Sequence, residues 1–147
     1  MIKLCYSSLA LCVLLFSCSP DLDIDPNSGS DSFSQMVSGG DWQLTYFWDS
    51  EKDESGHFRG YSFQFLSDHS IIAVKGTSKV NGHWTLVEDH SSDDSSRHLH
   101  FKIIFTAPPD FEELSEDWQV LRQGVNKIEL IHVSGGNGGI DYLTFER

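Results

Sequence analysis

Two histidines one residue apart, His98 and His100, form the pattern in this chain that most resembles a metal site. Residues i and i+2 of a β-strand share one face, so both imidazoles could reach the same ion. The apolar residues that alternate with them claim the core face, which places both histidines on the solvent side. Further ligands would have to come from His90, Asp93 or Asp94 nearby. We therefore predict a solvated strand face and no metal site.

Two pairs of adjacent acids, Glu112-Glu113 and Glu116-Asp117, raise the question of glycoside hydrolysis. That reaction needs two carboxyl groups on either side of the sugar, about 5–9.5 Å apart. Sequence neighbours on a helical turn do not supply this geometry by themselves. Helix capping and solvation account for these acids better, so we predict no catalytic role for them.

The glycine-rich run from Gly135 to Gly139 is followed by neither a Lys-Ser/Thr pair nor a helix. It predicts a hairpin rather than a phosphate-binding loop. The sequence has no G-x-S-x-G motif, and no cysteine follows Cys18. These features together predict a protein that is not an enzyme, with no catalytic residue and no cofactor.

The thiol of Cys18 lies at the end of a secretory signal. Lys3 supplies an early positive charge, and an apolar segment over residues 9–16 follows. This segment is shorter than the ~20 residues that a membrane-spanning helix needs. Leu15-Phe16-Ser17-Cys18 resembles the lipobox of bacterial lipoproteins, which implies cleavage before Cys18 and acylation of its thiol. We predict residues 1–17 as the signal peptide; an ordinary cleaved signal is the alternative.

The segment after the cysteine is predicted to be a disordered tether over residues 18–30. It is rich in Ser, Asp, Pro and Gly and has little to bury. Ser19 after the cysteine resembles the outer-membrane sorting pattern. The acids Asp21, Asp23 and Asp25 loosely resemble those of surface-exported lipoproteins, and a plain solvated spacer is the alternative. The resemblance implies an outer-membrane lipid anchor, with the domain on the periplasmic or the cell-surface side.

Charge and cysteine content limit the partners of the remaining domain, residues 31–147. The chain carries a net charge of −12, and removing the leader with Lys3 makes it one unit more negative. Such a charge disfavours nucleic acid and anionic lipid surfaces as binding partners. Since no cysteine lies beyond Cys18, the domain has no disulfide and depends on an apolar core.

The dominant hydrophobic period of the domain is two, which predicts strands. Short polar turns separate eight such segments, and helical turns are expected only near residues 33–38 and 110–115. This pattern predicts an all-β, eight-stranded antiparallel up-and-down barrel, with a two-sheet sandwich as the alternative. The predicted strands are 42–48, 61–65, 70–75, 80–88, 98–105, 118–122, 127–133 and 142–146.

Gly40-Asp41-Trp42, after a short helical turn and at the start of the first strand, resembles the G-x-W signature of lipocalins. The chain resembles bacterial lipocalin-like lipoproteins of unknown function over about residues 33–147. The resemblance implies that Trp42 plugs one barrel end and that Arg147 stacks on it. The Thr-Asp-Tyr signature is not matched, since Asp141-Tyr142 lacks the threonine and lies in the last strand.

Large aromatic side chains are the feature that could serve binding. We predict that six crowd the barrel interior, where they either line a pocket or fill the core. Phe47 and Trp48 offer an alternative, exposed patch at the rim. The first hypothesis is a non-enzymatic module that binds a small apolar molecule or a sugar; the second is a filled barrel that contacts an envelope protein. The six are Tyr46, Trp48, Phe63, Phe65, Trp84 and Phe101.

Overall fold

The computed structural model describes residues 29–89, 98–135 and 139–147. Within these ranges there are two short helices, α1 (Ser30–Val37) and α2 (Pro109–Glu112), and a 3₁₀ turn, Ser55–Phe58. The strands are β1 (Asp41–Asp49), β2 (Lys52–Asp53), β3 (Ser62–Phe65), β4 (Ser70–Lys75), β5 (Ser78–Asp89), β6 (His98–Ile104), β7 (Asp117–Gln123), β8 (Lys127–Val133) and β9 (Ile140–Glu146).

The long strands form a closed antiparallel barrel. From β3 to β9 each strand pairs with the next along the chain, and β1 pairs with both β3 and β9. The short β2 adds to the end of β1 as a hairpin and is not part of the ring of eight. The predicted up-and-down barrel is therefore confirmed, and so are the helical turns, as α1 and α2. A two-sheet sandwich is excluded because the first and last strands are hydrogen-bonded to each other.

The alternation of side chains along β1 is interrupted, and this decides which aromatic residues enter the barrel. Leu44 points inward, the pairing with β9 then shifts register, and Phe47 is the next inward residue, 1% exposed. Tyr46 and Trp48 consequently lie on the outside, Tyr46 exposed and Trp48 half-buried. The predictions of an interior Tyr46 and Trp48 and of an exposed Phe47 were wrong. One extra residue at a bulge reverses every later side chain on the strand.

Helix α1 covers the barrel end at which β1 begins and β9 finishes, here called the helix end. Its residues Phe33 and Val37 are buried, and the Phe33 ring meets the Phe101 ring edge-on at 5.2 Å between centroids. The indole N–H of Trp42 donates to the carbonyl of Val37 at 2.8 Å. Since the last carbonyls of a helix lack partners within it, this bond ties α1 to the barrel wall.

Arg147 lies against Trp42, in the arrangement that the resemblance implies. Its guanidinium carbon is 4.2 Å from the centre of the indole ring. Its Nη2 donates to the carbonyl of Met36, and its backbone N–H donates to Asn126. Arg147 therefore links β9, β1 and the end of α1.

The opposite end, here called the mouth, is covered by the 3₁₀ turn and by α2. Phe58 and Phe111 come from these two elements, are at most 2% exposed and meet edge-on at 5.2 Å. Beneath them lie Phe47 and Phe63, 5.8 and 6.4 Å from Phe58. Apolar side chains thus cover the interior at both ends.

Several predictions fall on residues outside the described ranges. They are the signal peptide 1–17, the acylated Cys18, nearly all of the tether, and the candidate metal ligands His90, Asp93 and Asp94. Helix α1 begins at Ser30, the last residue of the predicted tether. In the part of the chain that the structure describes, no helix is both long enough and apolar enough to span a membrane.

Candidate functional site

Four of the six aromatic residues predicted for the interior do meet there. Phe65 lies 5.3 Å from Phe101 and 6.3 Å from Trp84, and Trp84 lies 5.6 Å from Phe101. Phe63 joins the group through Phe145, 5.3 Å from its own ring. Ring centroids separated by 4.5–7 Å are in direct contact, so these residues pack on one another rather than around an open space.

Two indole N–H groups of the interior have hydrogen-bond acceptors. The indole N–H of Trp84 donates to the carbonyl of Leu66 at 3.1 Å, and that of Trp118 donates to Leu114 at 3.0 Å. Phe63, Phe65, Trp84 and Phe101 are each at most 1% exposed. The lumen of this barrel therefore serves as its hydrophobic core.

A concave site that contains the predicted ligand-binding residue Tyr46 lies on the outside of the barrel. It is a groove of about 260 Å³ across β1, β9, β8 and β7, and we call it the outer groove. Its apolar walls are exposed side chains, while Leu130 reaches it from the core side of β8. Its lining residues are Tyr46, Leu121, Glu129, Leu130, Tyr142 and Thr144.

Two β-bulges, one on each outer strand of this wall, turn apolar side chains toward the groove. The bulge in β1 lies between Leu44 and Tyr46, and the bulge in β7 lies between Val120 and Arg122. The second leaves Leu121 48% exposed. Bulges re-aim side chains and are common beside functional sites. Leu121 and Tyr142 were not predicted as site residues, because exposed positions in alternating strands carry no signal of their own.

The charged side chains beside the outer groove pair with one another. Glu129 contacts Arg122 at 3.1 Å and Lys127 at 2.8 Å, and Lys127 also contacts Glu146 at 3.5 Å. The carboxylates of Glu129 and Glu146 raise the pKa of Lys127 above its usual value. Two acids and two bases thus cancel locally, beside a largely apolar surface.

The two histidines of the candidate metal pattern have separate partners. Nδ1 of His98 lies 2.8 Å from the side-chain nitrogen of Gln119, and Nδ1 of His100 lies 3.1 Å from Asp117. Across residues 29–89, 98–135 and 139–147, no group of three His, Cys, Asp or Glu side chains is placed to hold a metal ion.

The paired acids do not face one another across a cleft. Glu116 points to His132, whose Nε2 is 3.5 Å away, and the other ring nitrogen of His132 lies 3.3 Å from Asp141. Asp117 contacts a different histidine, with its carboxylate 3.1 Å from Nδ1 of His100. Partial burial and the carboxylates of Glu54, Asp49 and Asp110 raise the pKa of Glu113. Glu116 and Asp117 thus have local histidine partners, whereas burial and the neighbouring carboxylates disfavour the charged form of Glu113.

A second groove, of about 360 Å³, lies at the helix end beside the G-x-W segment. Residues 38–41 and 64–66 line it. Its lining includes the small residues Ser38, Gly39 and Gly40, and Phe65 and Leu66 are its apolar residues, Phe65 being one of the six predicted for binding. It offers fewer apolar contacts than the outer groove, which is the stronger candidate site.

Comparison of the chain with protein-family models, with curated proteins and with solved structures finds no match.

Proposed function

We propose that this protein is a lipid-anchored, non-enzymatic lipocalin-like module of the bacterial outer membrane that binds its partner through the outside of the barrel. The observation that supports the outer wall over the lumen is the packing of the interior. Rings in mutual contact occupy it, with Phe33 over one end and Phe58 and Phe111 over the other. A ligand in the lumen would have to displace these side chains.

The membrane anchor is supported by the sequence alone. Leu15-Phe16-Ser17-Cys18 offers the thiol that would carry the acyl chains. Several chains on one residue would give stable anchoring, since each buried methylene contributes about 0.8 kcal/mol. The domain would then face the periplasm or the cell surface.

The anchor is tested by metabolic labelling with radioactive palmitate. Wild-type protein should incorporate label, and Cys18→Ala should lose it. Cys12→Ala removes a thiol within the predicted leader and should label like the wild type. Label in Cys18→Ala would overturn the anchor proposal, and so would a wild-type chain that takes up none.

The filled lumen is tested by native mass spectrometry of the full-length protein released from detergent, and by melting with and without benzene. Wild type should carry no co-purified small molecule, and benzene should not raise its melting temperature. Phe111→Ala should open a cavity at the mouth and gain a benzene-dependent stabilisation, because empty apolar cavities bind such probes. A stoichiometric ligand in wild-type protein that quenches tryptophan fluorescence would overturn the proposal, whether or not the variant folds.

A further inference from the structure

We infer that the outer wall formed by β7, β8, β9 and β1 docks a second copy of this chain, so that the protein is a two-fold symmetric dimer. The inference rests on the proposal that the outside of the barrel does the binding, and it names the partner. Three properties of the wall support it: its concentration of exposed apolar side chains, its paired charges, and a groove next to an exposed apolar pair.

Exposed apolar side chains are concentrated on this wall. Among the described residues, eight large hydrophobic side chains are more than a third exposed, and five of them lie here. Exposed apolar residues scattered singly are normal, whereas a contiguous group marks an interaction surface. The five are Tyr46, Leu121, Val133, Ile140 and Tyr142.

The wall is a nearly neutral area on a strongly acidic molecule. The chain has 22 acids against 10 lysines and arginines, a net charge of −12. Two copies therefore repel each other electrostatically in most relative orientations. Beside the outer groove, Arg122 and Lys127 offset Glu129 and Glu146. A second copy can approach this wall without bringing uncompensated acids together.

The wall also carries an exposed apolar pair beside the groove, so that each copy offers both parts of a reciprocal contact. Val133 and Ile140 pair with each other at the β8–β9 hairpin and are 62% and 45% exposed. Ile140 is two residues from Tyr142 along β9, a step of about 7 Å. A two-fold axis between this pair and the groove would seat the Val133–Ile140 pair of each copy in the outer groove of the other. Two-fold dimers of this kind are the commonest protein assemblies.

The test uses full-length chains with two different tags, co-expressed and extracted in detergent. Purification through one tag should recover chains with the other tag, and sedimentation equilibrium should give the mass of two chains. Val133→Glu should lower this recovery at least tenfold, because it buries an unpaired charge. Val87→Glu is the matched control: Val87 is 56% exposed on β5, away from the wall, and recovery should be unchanged.

A mixed pair tests the geometry. Leu121→Arg alone should also abolish recovery. Co-expression of Val133→Glu chains with Leu121→Arg chains should restore it, because one contact then pairs the two introduced charges and the other contact is wild type.

Three outcomes overturn the dimer. They are a monomeric wild type at all concentrations, an equal loss of recovery in Val87→Glu, and a mixed pair that stays apart. Binding of a free saccharide or another protein by a monomeric wild type would reassign the wall. Each outcome is separate from the lumen test, since a ligand inside the barrel would overturn the proposed function whatever the mass of the assembly.

Discussion

The guanidinium of Arg147 lies 4.2 Å from the centre of the Trp42 indole ring and also donates to the carbonyl of Met36. The last residue of the chain thereby joins the first long strand and the end of helix α1. Trp42 contacts the same end of α1, because its indole N–H donates a hydrogen bond to the carbonyl of Val37. Closure of the barrel at this end thus depends on side chains from both termini of the domain.

Removing this link should destabilise the domain. Arg147→Ala deletes a cation–π contact of about 0.5–2 kcal/mol and a hydrogen bond of about 1 kcal/mol, so we expect a loss of about 1–3 kcal/mol in unfolding free energy. Urea denaturation followed by tryptophan fluorescence measures it. Arg59 is an exposed arginine directly after the 3₁₀ turn, and Arg59→Ala should change stability by less than about 0.5 kcal/mol. Equal effects of the two substitutions would contradict the assigned role.

Among the glycines of the described residues, Gly82 is the one at which an added methyl group has no room. A Cβ there would lie 2.6 Å from the carbonyl oxygen of Ile104 and 2.6 Å from the ring of Phe105. Since the neighbour is backbone, Gly82→Ala should cost about 1–3 kcal/mol, seen as a lower melting temperature. Gly56→Ala meets nothing within 4 Å and should leave stability unchanged or slightly higher. A neutral Gly82→Ala would show that the strands separate easily at this point.

The β1–β2 hairpin has an unusual turn. Its two central residues, Ser50 and Glu51, both have positive φ, 48° and 73°. Such a two-residue turn favours Asn-Gly, because side chains strain this backbone conformation. Glu51→Gly should therefore raise unfolding free energy by about 1 kcal/mol. Glu51→Ala removes the same charge but keeps the strain, so a matching gain in that variant would assign the effect to charge.

Glu113 should make stability depend on pH. Its pKa lies above the ordinary value of 4.5 in the folded protein, through partial burial and the neighbouring acids Glu54, Asp49 and Asp110. The folded state then holds the proton more tightly than the unfolded chain, and stability falls as pH rises through the raised pKa. Below pH 4.5 the penalty is absent.

Glu113→Gln should thus raise the melting temperature at pH 8 and leave it unchanged at pH 3.5. The gain should stay below about 1 kcal/mol, because solvent screens a largely exposed carboxylate. Glu112→Gln removes the same charge one residue away and should have a smaller effect at pH 8. A gain in Glu113→Gln that persists at pH 3.5 would rule out the electrostatic explanation.

Much of the architecture could be predicted because strand positions depend on local pattern. Alternation along Phe63–Phe65 and Leu99–Ile103 shows which side chains are inward, and the structure confirms those positions as buried. Turn residues separate the segments, and short turns between consecutive strands favour antiparallel neighbours. The same reasoning failed for Tyr46 and Trp48, because the register shift in β1 is set by its pairing with β9, a hundred residues away.

From its own residues, the sequence determined the strand content, the order of turns, the strong negative charge and the exclusion of common catalytic motifs. Only the tertiary structure decided that rings fill the lumen, that Phe58 and Phe111 cover the mouth, and that apolar side chains gather on one outer wall. The reason is physical. The hydrophobic period and the composition are properties of residues that are neighbours in the sequence. Ring contacts, bulges and a shared groove arise only when strands that are distant in the sequence meet.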